Sequence, residues 1–214
     1  MNRARMMVEL LEVLNDSTVD GIWRETTLWG YLAEGQDKFC EKTGYFKDIS
    51  NFTLTLQTDV AVYAIPDRII QIMDIWNGTQ KLVKIPTGDI YYGEGISGVP
   101  THWDTDRETG FIKLYPTPTS DENGDTLLLQ VWRYSQNDLA EDGNDPEIPG
   151  RFQRACIEWA AFKAFSQHDM EQEDPIDAGK HRDLFRGYVK DGKKALKRYQ
   201  NIEVRIGTDP AYRT

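Results

Sequence analysis

Residues 149–168, Pro-Gly-Arg-Phe-Gln-Arg-Ala-Cys-Ile-Glu-Trp-Ala-Ala-Phe-Lys-Ala-Phe-Ser-Gln-His, decide the architecture. Phe152, Ala155, Cys156, Trp159, Phe162 and Phe165 recur at helical spacing directly after Pro149. The apolar stripe is wide, so a helix over Arg151–His168 is expected to be buried on more than one side. A second helix follows at once. Pro175 suits a first turn, and Phe185, Tyr188, Val189, Leu196 and Tyr199 keep 3–4 spacing through Gln200.

Upstream, the period is different. Phe52, Leu54 and Leu56 alternate with Thr53, Thr55 and Gln57, the pattern of a half-buried strand. Further strands are expected at Val60–Ile65, Arg68–Trp76, Lys81–Ile85, Thr101–Asp104, Gly110–Tyr115 and Thr126–Tyr134. Asn77-Gly78 is a hairpin turn signal, and residues 86–100 read as a long glycine-rich loop. Residues 138–147 form an acidic linker. Before the strands, Met7, Leu10, Leu11 and Leu14 mark one helix and Trp29, Leu32, Ala33, Phe39 and Cys40 another. Thr26 or Thr27 is the expected cap of the second helix and Gly44 its stop.

Helices, then strands, then helices make an α+β chain rather than alternating βαβ units. A discontinuous helical bundle (1–44 and 147–200) is expected, with an antiparallel β subdomain (45–146) inserted. The end, 201–214, is expected to be an extended tail. Ile202, Val204 and Ile206 alternate with Glu203 and Arg205 there, as a strand seeking a partner would.

The chain has 214 residues, enough for one large domain or two small ones with a real core. Aromatics make up 11%, too many for a disordered chain. No run approaches the roughly 20 apolar residues of a membrane span. No secretory signal is read at the start, so a cytosolic life is expected unless the chain is assembled into something. The Asn-x-Ser/Thr matches at Asn15, Asn51 and Asn77 then carry no weight.

Net charge is −10, which argues against free nucleic-acid binding as the main task. Its distribution is uneven. Residues 1–150 hold 12 basic and 25 acidic side chains, net −13, whereas 151–200 hold 11 and 8, net +3. The basic bias is sharpest at Lys180, Arg182, Arg186, Lys190, Lys193, Lys194, Lys197 and Arg198. A solvated helix face and contact with an acidic partner, another copy's acidic front included, both fit it.

Chemical motifs are weak. Gly93-Glu94-Gly95-Ile96-Ser97-Gly98 matches a dinucleotide fingerprint, but Val99-Pro100 blocks the helix such a site requires. His102, His168 and His181 have no zinc-ligand spacing, and Cys40 and Cys156 sit on apolar helix faces without a paired His. The acidic clusters Asp121/Glu122/Asp125 and Asp104/Asp106/Glu108 do not follow a calcium loop and are expected to be solvated turns. No cofactor, metal or catalytic group is expected.

Several phrases, in order, resemble the head–tail connector (adaptor) proteins of tailed bacteriophages. They are Trp29 ahead of the strand Phe52–Leu56, Val62-Tyr63-Ala64-Ile65-Pro66-Asp67, Gly98-Val99-Pro100-Thr101-His102-Trp103, Ile112-Lys113-Leu114-Tyr115-Pro116-Thr117-Pro118 and Asp145-Pro146-Glu147-Ile148-Pro149. Together they cover about residues 20–200. The resemblance implies a non-enzymatic virion protein of the head–tail junction, made in the host cytoplasm. It implies a ring, typically of twelve copies, under the portal protein. That ring joins the next tail component (nozzle or tail tube) and extends a channel through which genomic DNA passes without specific binding. No membrane is involved.

On that reading Ile202, Val204, Arg205, Ile206, Tyr212 and Arg213 are the expected portal-docking residues. Phe152, Trp159, Phe162, Lys190, Lys194 and Lys197 are the expected ring-interface residues. The acidic front is expected as a channel wall that repels the duplex, with the basic helix spent on protein neighbours. A carbohydrate-active enzyme, or another tail or receptor-binding component, is the alternative.

Overall fold

The computed structural model describes residues 2–16, 21–85, 95–106, 110–167 and 174–208, with the side chains of 106 and 199–208 left out. The chain divides into two compact units, residues 1–45 with 134–214, and 46–133.

The first unit is helical: α1 (Arg3–Leu14), α2 (Glu25–Thr43), α3 (Arg154–Phe165) and α4 (Pro175–Thr208). The Asn2 side chain accepts from the Arg5 N–H and starts α1. Asn15 ends it in the left-handed region at φ 51°. Gly44 ends α2 at φ 63°, and its N–H reaches the Cys40 carbonyl at 2.8 Å. The start of α2 departs from expectation. Its cap is Arg24 with no side-chain bond, and Thr26 and Thr27 lie inside the helix. Glu25 supports the first turn instead, accepting from Trp29 Nε1 at 3.0 Å.

The α3 helix is the hub, packed on α2 and α4 and touching α1. It begins later than expected, after a short 3-10 turn at Gly150–Phe152. Ala155, Cys156, Ile157, Ala160, Ala161 and Ala164 are all buried. Small residues let neighbouring helices come close. A Cβ on Gly35 of α2 would lie 3.0 Å from the Cys156 Cα and carbonyl oxygen. The acidic segment 138–147 belongs to this unit and is tied down rather than loose. Gln36 donates to the Asn137 carbonyl at 2.8 Å and accepts from the Glu147 N–H at 3.1 Å.

Among its described residues the second unit holds eight strands: β1 (Phe46–Thr55), β2 (Val62–Ala64), β3 (Ile69–Asn77), β4 (Gln80–Lys81), β5 (Val83–Lys84), β6 (His102–Asp106), β7 (Phe111–Tyr115) and β8 (Thr126–Arg133). They form two four-stranded sheets, ordered β1-β8-β3-β4 and β2-β7-β6-β5. Alternate residues of both sheets share one core, including Leu54, Leu56, Ile75, Trp103, Ile112, Leu114, Leu127 and Leu129. The sheets are antiparallel with one correction: β5 runs parallel to β6. The expected hairpin forms, with Asn77 paired to Gln80 and Gly78 at φ 56° supplying the tight turn. The β8 strand is central, flanked by β1 and β3, and buries Leu127, Leu129 and Val131 on one face while Leu128 and Trp132 are half-buried on the other.

The chain end is a second correction. Residues 201–208 continue α4 instead of forming a strand. A helix already nucleated at Pro175 extends at one hydrogen bond per residue. The β-branched Ile202, Val204 and Ile206 cost it only a few tenths of a kcal/mol each.

Candidate functional site

The α4 helix carries seven of the expected contact residues: Lys190, Lys194, Lys197, Ile202, Val204, Arg205 and Ile206. Asp174 caps it, its Oδ1 accepting from the Ile176 and Asp177 N–H groups at 2.9 and 3.0 Å. Ala178, His181, Phe185 and Gly192 face inward and are buried. Gly192 is required by closeness: a Cβ there would sit 2.8 Å from Phe39 Cζ. The outward side has two flanks. One carries Arg182, Arg186, Lys190, Lys193 and Lys197, all exposed. The other carries Lys180, Leu184, Gly187, Tyr188 and Asp191, which line a shallow hollow of about 590 Å³ with Asp183. Ile176 and Leu184 are large apolar side chains left 82% and 45% exposed, and sequence periodicity did not flag them. Their i, i+8 spacing on one outward side was the available signal.

The ring-interface candidates separate. Phe152 is a core residue, 4% exposed, with its ring 5.3 Å from Phe39 and 5.6 Å from Tyr45. That is a correction: its aromatic surface is spent inside the unit. Trp159 and Phe162 are half-buried and meet edge-on at 5.4 Å. Trp159 also packs on Phe185 at 5.0 Å. Phe162 borders a hollow of about 250 Å³ with Phe165, Pro175 and Arg182. Lys190, Lys194 and Lys197 are exposed, with Lys194 3.4 Å from Asp191.

The portal-docking candidates Ile202, Val204, Arg205 and Ile206 stand on the last turns of α4. Tyr212 and Arg213 lie outside the described residues, as does His168.

The buried polar groups act as structure. His181 Nδ1 lies 2.6 Å from Glu158 Oε2, and Arg154 Nε donates to Glu158 Oε1 at 2.8 Å. Arg154 also reaches Glu9 at 3.1 Å, and Glu9 accepts from Arg5 at 3.0 Å. This chain ties α1, α3 and α4 together, and no sequence motif announces it. Burial, chiefly, pushes the Cys156 thiol far above the ordinary range, so it is inert as a nucleophile. The turn at Glu122 is more ordered than a solvated turn. Its carboxylate accepts from the Thr119 hydroxyl and N–H at 2.6 and 2.7 Å, and those bonds hold it below the usual range. Asp104, also expected in a solvated turn, is buried and accepts from the Thr105 N–H at 2.7 Å.

Gly95 and Gly98 sit in a turn region where Ser97 bridges Thr117, and no helix follows them. Gly93 and Glu94 lie outside the described residues, as do Arg107, Glu108 and the Asp106 side chain. Among the described residues, no group of three His, Cys, Asp or Glu side chains could hold a metal ion. No described helix is long and apolar enough to cross a membrane.

No curated protein matches the chain. The family model described as SU10 adaptor protein matches residues 1–206, nearly the whole sequence. The chain therefore belongs to the SU10 adaptor protein family and is a structural adaptor of a bacteriophage virion.

Proposed function

We propose that this adaptor closes into a ring beneath the portal protein, joins it to the next tail component (nozzle or tail tube) and extends the DNA channel. Twelve copies are the expected number, and the protein performs no catalysis. The observation that carries this reading is the family match along residues 1–206, which includes α4 to within two residues of its end. The last turns of α4, with Ile202, Val204, Arg205 and Ile206, are assigned to the portal, with Tyr212 and Arg213 beyond them. Of the two docking modes open to this segment, strand addition or laying into a groove on the portal, the helical end of α4 favours the groove. Trp159, Phe162 and Lys194 are assigned to neighbouring copies. Genomic DNA passes through without sequence-specific binding.

Deleting residues 202–214 tests the docking assignment. The truncated protein keeps its melting temperature and loses co-sedimentation with portal particles. Truncated protein that still co-sediments normally removes the assignment.

A further inference from the structure

The exposed cations of α4 are not scattered. Arg182, Arg186, Lys190, Lys193 and Lys197 follow one another at steps of four, four, three and four residues. At 100° per residue, these steps keep all five on one flank, over a length of about 22 Å. Arg186 is held by Asp183 at 2.9 Å. Arg182, Lys190, Lys193 and Lys197 have no carboxylate partner among the described residues. Between Pro175 and Arg198, α4 carries eight basic and three acidic side chains, although the whole chain is at −10. A Debye length of about 8–10 Å lets this local excess act on a near partner whatever the charge elsewhere.

We propose that this row is a binding surface for the phosphate backbone of duplex DNA, sequence-independent and electrostatic. This does not rest on the ring reading, and it revises the expectation that the basic helix serves protein neighbours. An acidic protein surface would match the sign as well, but composition favours phosphate. Three of the five residues are Lys, and no aromatic or other apolar side chain interrupts the row. Protein interfaces are depleted in Lys at their cores and enriched in aromatics. The apolar groups of the outward side, Leu184 and Tyr188, stand on the opposite flank. The row is about 22 Å long, roughly two-thirds of the about 34 Å of one helical turn of duplex DNA. Five cations laid against the backbone supply attraction without reading any base.

Fluorescence anisotropy of a labelled 30-bp duplex with the full-length protein tests it. Binding in the micromolar range is expected at low salt, with log K falling against log[KCl] at a slope of about −4, near 0.9 per cation. The triple variant Lys190→Glu/Lys193→Glu/Lys197→Glu is expected to bind more than 10-fold more weakly. Lys180→Glu, on the opposite flank, is expected to change binding less than 2-fold. Circular dichroism checks that each variant is folded. Should the triple variant fail to fold, Lys193→Gln and the wild-type salt slope carry the test. No binding by the wild-type protein, a slope near zero, or unchanged affinity in the folded variants would overturn the proposal. So would tighter binding of poly-glutamate than of DNA at equal charge concentration, or loss of self-association as the sole effect of the triple variant. Portal co-sedimentation of the triple variant reads the adaptor role separately.

Discussion

Arg133 Nε donates to Asp48 Oδ2 at 3.2 Å, and the two side chains are only 11% and 5% exposed. The pair joins the end of β8 to the irregular first half of β1, where the register shifts between Asp48 and Phe52. Asp48 also accepts from the Ser50 and Asn51 N–H groups and from the Asn51 side chain, at 2.9–3.1 Å. One carboxylate therefore organises a bulge that would otherwise leave donors unpaired.

Burial opposes ionisation of Asp48, but the hydrogen bonds from Asn51, Ser50 and Arg133 outweigh it and hold the carboxyl below its usual value. The folded value is depressed, so the stabilisation is complete above the unfolded value of about 3.9 and is lost as pH falls through the folded one. Asp48→Asn is expected to cost about 3 kcal/mol at pH 7, because it removes the negative charge from a nearly buried ion pair with Arg133. In urea titrations, the gap between variant and wild type closes at acid pH. A gap independent of pH would contradict this account.

Two glycines of α2 are expected to behave oppositely. Nothing lies within 4 Å of a Cβ on Gly30, so Gly30→Ala gains helix propensity, up to about 1 kcal/mol. A Cβ on Gly35 meets the Cys156 backbone at 3.0 Å, so Gly35→Ala forces α2 from α3 and costs about 1–3 kcal/mol. Thermal melts of the two variants decide it. Equal shifts in one direction would mean the helices are not in close contact.

Glu158 serves both His181 and Arg154 from a buried position. Glu158→Ala leaves buried His181 without its Glu158 partner and Arg154 with Glu9 as its remaining carboxylate, and is expected to lose about 3 kcal/mol. Glu158→Gln, which keeps one acceptor, is expected to lose less. Chemical denaturation of both variants measures the difference.

Cys40 and Cys156 are fully buried. Both are expected to resist a disulfide reagent in the native protein and to react in denaturant, two thiols per chain. Rapid titration of either thiol under native conditions would show that the α2–α3 contact opens readily.

Much of the fold was legible because its signals are periodic. The aromatic stripe from Phe152 to Phe165 and the alternation at Phe52–Leu56 sort helix from strand, and Gly44 and Gly78 mark their turns by a required positive φ. The failures share a cause. The β1 strand begins at Phe46, before any alternation is visible, because pairing with β8 holds its irregular half. The alternation at Ile202–Ile206 misled because a long helix overrides local β preference. Phe152 stood on a stripe expected to be buried on more than one side, but spacing does not say that Phe39 and Tyr45 are the neighbours it meets. The Glu158–His181 contact and the Asp48 bulge join residues 23 and 85 positions apart, beyond the reach of any local pattern.

The adaptor is proposed to occupy the head–tail junction as a ring. Cryo-electron microscopy of portal particles incubated with the purified full-length protein tests it most directly. The account predicts a closed ring of density on the tail side of the portal, with the end of α4 from each copy against the portal surface. Particles with a bare portal, or with the protein bound elsewhere on the shell, would contradict it.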